Sequence, residues 1–278
     1  MKNLTFHAID LPSTLQKSGK IQKVYAGRTN NLIYLIEDDK KDLFILYTYN
    51  EEKITLPPHI PDSQAIINIQ EIGTNDWLIA YRQEDEDIVC ICSGFGKVLT
   101  EFSIGEGVED CQVDIKDQIW VSYFDEGIFS EDPRSQEGIV AFDLAGNVVY
   151  DRYGKLVVDE IVPPIDDCYA LNVTGDEVWL YYYSDFPVVQ LKNHQLENIW
   201  KDIDLDPYSV HSFAVGTDHL IFCTNKGPLL HYSLINNKLE QCVPTDENGK
   251  ALRVERYVCR GPIIYLHTLQ GIYTYKLT

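Results

Sequence analysis

Positive charge is scarce in this sequence. Its 278 residues carry 23 Lys and Arg against 43 Asp and Glu, a formal net charge of −20 at pH 7. A surface of that sign repels phosphate backbones and anionic headgroups, so neither nucleic acid nor a membrane is expected as a partner. Long apolar runs are missing as well. No stretch approaches the ~18 residues of a membrane span, and Met1 to His7 lacks the continuous apolar core of an export signal. The seven cysteines are an odd number, spread singly through apparent strands. They read as reduced core thiols of a cytoplasmic protein. Cys90-x-Cys92 puts two thiols on one face of a strand, whereas zinc sites favour a two-residue gap on a turn, so no metal is expected from that pair.

The usual signs of catalysis are also thin. No Gly-x-Ser-x-Gly elbow is present, and His211-Ser212 would point to opposite faces of a strand. Gly94-Phe95-Gly96-Lys97 is a hairpin turn with no helix to hold an anion. Asp202-x-Asp204-x-Asp206-Pro207 begins like a calcium loop. It has Pro207 where Gly should make the sharp turn and Phe213 where a closing Glu should stand.

What the chain does have is tyrosine, 18 in all, and a repeat. Six apolar, aromatic runs each follow a polar turn. They begin at Leu32, Trp77, Ile119, Val178, Leu220 and Ile263, separated by 45, 42, 59, 42 and 43 positions. A period in the low forties is that of a four-stranded propeller blade. Hairpin turns such as Gly73-Thr74-Asn75-Asp76 and Thr174-Gly175-Asp176-Glu177 precede the runs, and further strands follow them. Helical periodicity is nearly absent, with room for a turn or two between Ser13 and Lys23. The sixth unit is one strand short, and Leu4 to Asp10 is a spare strand that can complete it. The expected fold is therefore all-β: one six-bladed β-propeller over residues 1–278, closed by its N-terminal strand. Its blades fall at about 21–58, 64–104, 109–153, 166–203, 210–244 and 252–278 plus 4–11. Closure removes exposed strand edges.

Asp117-Gln118-Ile119-Trp120-Val121 and Asp176-Glu177-Val178-Trp179-Leu180 resemble the blade motif of NHL-type and sensor-type propellers. The Gly usual in that turn is missing from Asp117-Gln118, and the Trp-Asp and Gly-His pairs of WD40 blades are missing altogether. The resemblance implies a fold and carries no activity with it.

In such a fold the second-to-third loops and the blade junctions share one face. Glu37 to Asp42, Glu84 to Asp87 and Asp125 to Glu137 make that face acidic, joined by Asp185, Glu106, Glu109 and Asp110. On the opposite face Arg28, Lys97, Lys238 and Arg260 nearly cancel the acidic groups. The long third interval adds two insertions, Glu126 to Glu137 and Gly154 to Ile165, expected as neighbours on the acidic face. Long loops on a regular scaffold are where binding residues tend to sit. The candidate site is thus Asp110, Phe124, Asp125, Glu126, Phe129, Asp167, Tyr183, Asp185 and Phe186. An acidic, aromatic patch suits a basic protein partner, as in an inhibitor or immunity protein, and no catalytic residue is assigned. Solvated hairpin tips are the plainer reading of the same charge. The alternative is a hydrolase of the lactonase-like propeller type. That resemblance implies an axial divalent cation such as Ca²⁺, here on Asp110, Asp167 and Asn68 with His211 nearby. A third reading is a small-ligand sensor or scaffold.

Overall fold

The apolar runs form strands because both of their faces are buried. In Leu32–Glu37, the residues Ile33, Tyr34, Leu35 and Ile36 are all fully buried, an unbroken apolar stretch that only a sheet packed on both sides can hold. Each run is the second strand of a four-stranded antiparallel sheet. A computed structural model describes residues 2–11, 15, 19–47, 51–84, 86–206, 209–225 and 228–278. Within them six such sheets form a six-bladed β-propeller. Innermost strands of successive blades pack side by side, and the sixth, Arg256–Arg260, packs against the first, Lys20–Ala26. The core is correspondingly divided into apolar clusters between neighbouring blades. One of them joins Val24, Tyr34 and Leu46 of blade one to Tyr265 and Ile272 of blade six.

Ring closure uses the N-terminal segment in a way the single spare strand did not anticipate. His7–Ile9 pairs antiparallel with Gly271–Lys276 and completes blade six. Lys2–Thr5 instead runs parallel to Leu239–Thr245 as a fifth strand on blade five. The change of partner occurs at Phe6, which is fully buried, donates its amide to the Thr245 carbonyl at 2.8 Å and packs its ring 5.3 Å from that of Tyr275. A buried aromatic at that point fixes where the chain steps from one blade to the next.

Four hairpin turns are built the same way. Asp38, Asp114, Asp143 and Asp246 each accept hydrogen bonds from the backbone amides two and four residues further on, at 2.8–3.0 Å. A short carboxylate can satisfy turn amides that no strand partner reaches. Asp114 also accepts the Trp120 indole N–H at 3.1 Å, tying the turn to the strand it begins.

The two insertions of blade three are not structureless. They hold short helices at Asp125–Ile128 and Tyr153–Val158 and a 3₁₀ turn at Ser135–Glu137, too brief to show a sequence period. The insertions touch: the Gly154 amide donates to Glu137 Oε2 at 2.8 Å. Of the Ser13 to Lys23 segment, residues from Lys20 onward are strand, while 12–14 and 16–18 lie outside the described residues. Among the described residues no helix is long and apolar enough to cross a membrane.

Candidate functional site

The innermost strands line the axis, and most of them carry the same irregularity. Their pairing with the second strand slips by one residue at Gln22, Ile67, Glu109, Tyr169 and His211, one in each of blades one to five. A bulge leaves one residue unpaired and re-aims its side chain. Ile67, Glu109, Tyr169 and His211 accordingly line an axial cavity of about 190 Å³, together with Asn68, Asp110, Gln112, Arg256 and Tyr257. Glu109, Tyr169 and His211 also line the wider mouth above it, where they meet Arg82, Phe124, Asp125, Glu126 and Asp167.

The far end of the cavity is plugged. Arg260 of blade six is fully buried and reaches across the axis to blade three, donating to Gln112 Oε1 and the Val113 carbonyl. Gln112 in turn donates to Asp110 Oδ2 at 2.7 Å and to the Leu171 carbonyl at 2.9 Å. Beside them Asn172 bonds Phe213 and Gly261, linking blades four, five and six. Arg260 is therefore no surface charge of the face opposite the mouth, as its place in a turn implied. Burial brings its pKa down to about 10 against the pull of Asp110 and Glu71.

At the mouth the carboxylates crowd each other. Partial burial, then the charges of Asp110 and Asp167, raise Glu109 to about 7, although much of its side chain remains in contact with water. Burial and then Asp125 raise Asp167 to about 6. Among the described residues no ion pair reaches Glu109, Asp125, Glu126 or Asp167. The guanidinium of Arg82 on the rim partly opposes the rise at Glu109, lies over the Phe124 ring at 5.6 Å and donates to the Val108 carbonyl at 2.9 Å. Acidic loops continue outward from there: Glu84, Glu86, Asp87 and Glu106 line an adjoining depression shared with Phe124 and Glu126.

Of the residues named from sequence, Phe124, Asp125, Glu126 and Asp167 therefore converge on one opening. Tyr183, Asp185 and Phe186 lie behind it. Phe186 stacks on Tyr169 at 6.0 Å and packs 5.3 Å from Tyr183, while Asp185 is exposed. Phe129 ends the short helix and is 72% exposed, away from the mouth. Asp110 and Asn68 sit deeper and bond each other, Asn68 Nδ2 donating to Asp110 Oδ1 at 2.6 Å. Asp110 also accepts from the Gln112 side chain and the Cys111 amide, and Asn68 Oδ1 accepts from Ile69 and Gln70. Asp167 lines the outer opening and not this inner cavity. A cation shared by Asp110, Asp167 and Asn68 would have to displace several of those bonds.

The profile of the YxzG family matches residues 139–275, just under half of the chain. The Bacillus subtilis (strain 168) protein YxzG is 24% identical over 142 residues, which is 48% of this chain and 95% of that protein. Among solved structures, virginiamycin B lyase from Staphylococcus aureus is similar with a TM-score of 0.56 at 11% identity, over 92% of this chain and 80% of that one. The Cps50 (Swd1) β-propeller domain of Myceliophteria thermophila gives 0.52 at 13% identity, over 94% and 98%. At such identities the likeness is one of fold. The YxzG-like segment runs from the third strand of blade three into blade six. It includes Asp167, Tyr169 and His211, whereas Glu109, Phe124, Asp125 and Glu126 come from the part before it.

Tyr169 was missed altogether, while Glu109 was counted on the acidic face and His211 beside the axis without either being placed at the mouth. A bulge interrupts the alternation from which facing is read, and their neighbours in sequence give no sign of it. The repetition of the slip from blade to blade becomes visible only in the pairing.

Proposed function

We propose that this propeller is a non-catalytic binding module whose acidic mouth receives a cationic side chain of a basic protein partner. The observation that carries the reading is the crowding of Glu109, Asp125, Glu126 and Asp167 around one opening without a paired cation among the described residues. Carboxylates held so close resist ionising together, and an incoming Lys or Arg relieves that repulsion. The Phe124 ring, which already lies under Arg82, stands beside the charges and shows that a guanidinium can stack there, a contact that contributes ~0.5–2 kcal/mol. The plugged cavity beneath gives the mouth depth and a single direction of approach. Several other acidic residues of this face are engaged within the fold: Asp38 closes a turn, Asp87 accepts the Val108 amide and Asp132 pairs with Arg134. An inhibitor or immunity protein against a basic target is one form such a module can take.

The test uses an oligo-arginine peptide as probe, followed by calorimetry at low and at moderate salt. Wild type should bind it with an affinity that falls steeply with ionic strength. Asp125→Lys with Glu126→Lys should weaken binding tenfold or more, about 1.4 kcal/mol, with the fold intact by circular dichroism. Equal affinity in the double variant refutes the site. Equal reversal of Glu84 and Glu86 serves as the control for plain surface charge and should cost less.

A further inference from the structure

Away from the mouth, the junction of blades one and two gathers three different ligand groups. One donor atom each from His59, Cys90 and Glu101 lie within 4.8 Å of one another. Cys90 and Glu101 stand directly opposite each other in adjacent strands of blade two, so their side chains share a face. Cys90 is fully buried among residues of blades one and two, including Tyr25, Ile45 and Trp77. His59 arrives from the linker between the blades. There Pro57 to Ile60 forms a turn closed by the Ile60 amide on the Pro57 carbonyl at 3.1 Å, with Pro58 fixing the backbone just before His59. His59 Nε2 meets Glu101 Oε2 at 2.6 Å. The buried Tyr81 hydroxyl lies beside Glu101 and Cys90 and adds a polar group to the cluster.

We propose that His59, Cys90 and Glu101 bind one zinc-class divalent ion, with a fourth position left to water. An imidazole nitrogen, a thiolate sulfur and a carboxylate oxygen together suit a borderline ion, whereas calcium and magnesium demand oxygen throughout. Three protein ligands with one open position is an established zinc layout. Bond lengths of about 2.0–2.3 Å place tetrahedral donors roughly 3.3–3.7 Å apart. The His59–Glu101 contact would therefore open by about 1 Å on binding. Both side chains can make that movement, being 44% and 37% exposed. The Cys90 thiol gives up its proton to solvent as the metal–sulfur bond forms, and nothing is oxidised or reduced. Cys92 plays no part, so the ligands come from a linker and a strand pair and not from the Cys-x-Cys spacing. The ion would clip the blade-one-to-two linker onto blade two.

Cobalt titration of chelator-stripped protein tests this through the thiolate-to-cobalt charge-transfer absorption. The band should rise to saturation at one ion per chain, collapse when Zn²⁺ is added, and remain in Cys92→Ser. It should vanish in Cys90→Ser. His59→Ala, which removes an exposed side chain and leaves the core untouched, should weaken binding by about tenfold or more. No band in wild type overturns the proposal, and so does a band of unchanged affinity in His59→Ala. If Cys90→Ser fails to fold, Glu101→Gln together with His59→Ala decides.

Discussion

Replacing Arg260 with methionine tests how the axis is held. The guanidinium is buried, and its two acceptors, Gln112 Oε1 and the Val113 carbonyl, belong to the blade on the opposite side of the ring. Two opposing effects set the size of the loss. Hydrogen bonds from a charged donor contribute about 1.5–3 kcal/mol each, although Gln112 Oε1 would keep the Val173 amide as a donor at 2.9 Å. Against that, holding the cation there is itself expensive, as the fall of its pKa to about 10 shows, and methionine relieves that strain. Removing one member of a buried charge network usually costs about 3–5 kcal/mol. Given the relief, the lower end is expected, about 3 kcal/mol. Urea denaturation followed by the fluorescence of the four tryptophans measures it. A double-mutant cycle with Gln112→Leu should return a coupling of at least ~1 kcal/mol, because the two side chains share a bond. A variant as stable as wild type, or additive effects in the cycle, would show that the plug is incidental to the ring.

Phe6→Ala should lose about 3–5 kcal/mol, the usual cost of emptying a fully buried aromatic site. Hydrogen exchange should then quicken first in His7–Ile9 and Gly271–Lys276; uniform exchange would argue against the segment as the closing element. The mouth carboxylates make stability depend on pH in a definite direction. Glu109 and Asp167 have folded-state pKa values near 7 and 6, above those of an unfolded chain. The native state therefore binds more protons between pH ~4 and ~7, and stability falls as pH rises through that window. Because water reaches Glu109, its share is about 1–2 kcal/mol after screening. Glu109→Gln should flatten that slope and raise stability at pH 8 relative to wild type; a slope left unchanged would remove Glu109 as its source.

Much of the fold was legible because the second strand of each blade is buried on both faces. Runs such as Val178-Trp179-Leu180-Tyr181-Tyr182 stand out from their polar turns, and their spacing counts the blades. The short sixth unit pointed to the strand that completes it. The division of the N-terminal segment between two blades was hidden, because Phe6 looks like one more apolar residue in a strand. Sorting loops by face groups Asp125 and Glu126, and the start of an axis-lining strand adds Asp167; both readings depend only on strand order, and these residues line one opening with Phe124. It misplaced Arg260, because a turn at the inner end of a blade points into the axis and not to solvent. Asp114 escaped notice for a related reason: the turn was read from Asp117-Gln118, while the carboxylate that organises it stands three residues before Asp117. The His59–Cys90–Glu101 cluster could not be read at all. Its members are distant in sequence, and the register that sets Cys90 against Glu101 is a property of the sheet.

The pairing of Lys2–Thr5 and His7–Ile9 with strands more than two hundred positions away has a consequence for biosynthesis. These strands leave the ribosome well before the neighbours they pair with, which lie in residues 239–276. Between the emergence of Gly271–Lys276 and its pairing with His7–Ile9, the outer edge of that strand is open, and its row of amides and carbonyls is a template for another chain. Joining segments so remote is slow, since loop closure comes before any contact rewards it. Crowded, half-made copies are then the state most exposed to mutual association, and chaperone dependence should track the rate at which this last seam closes.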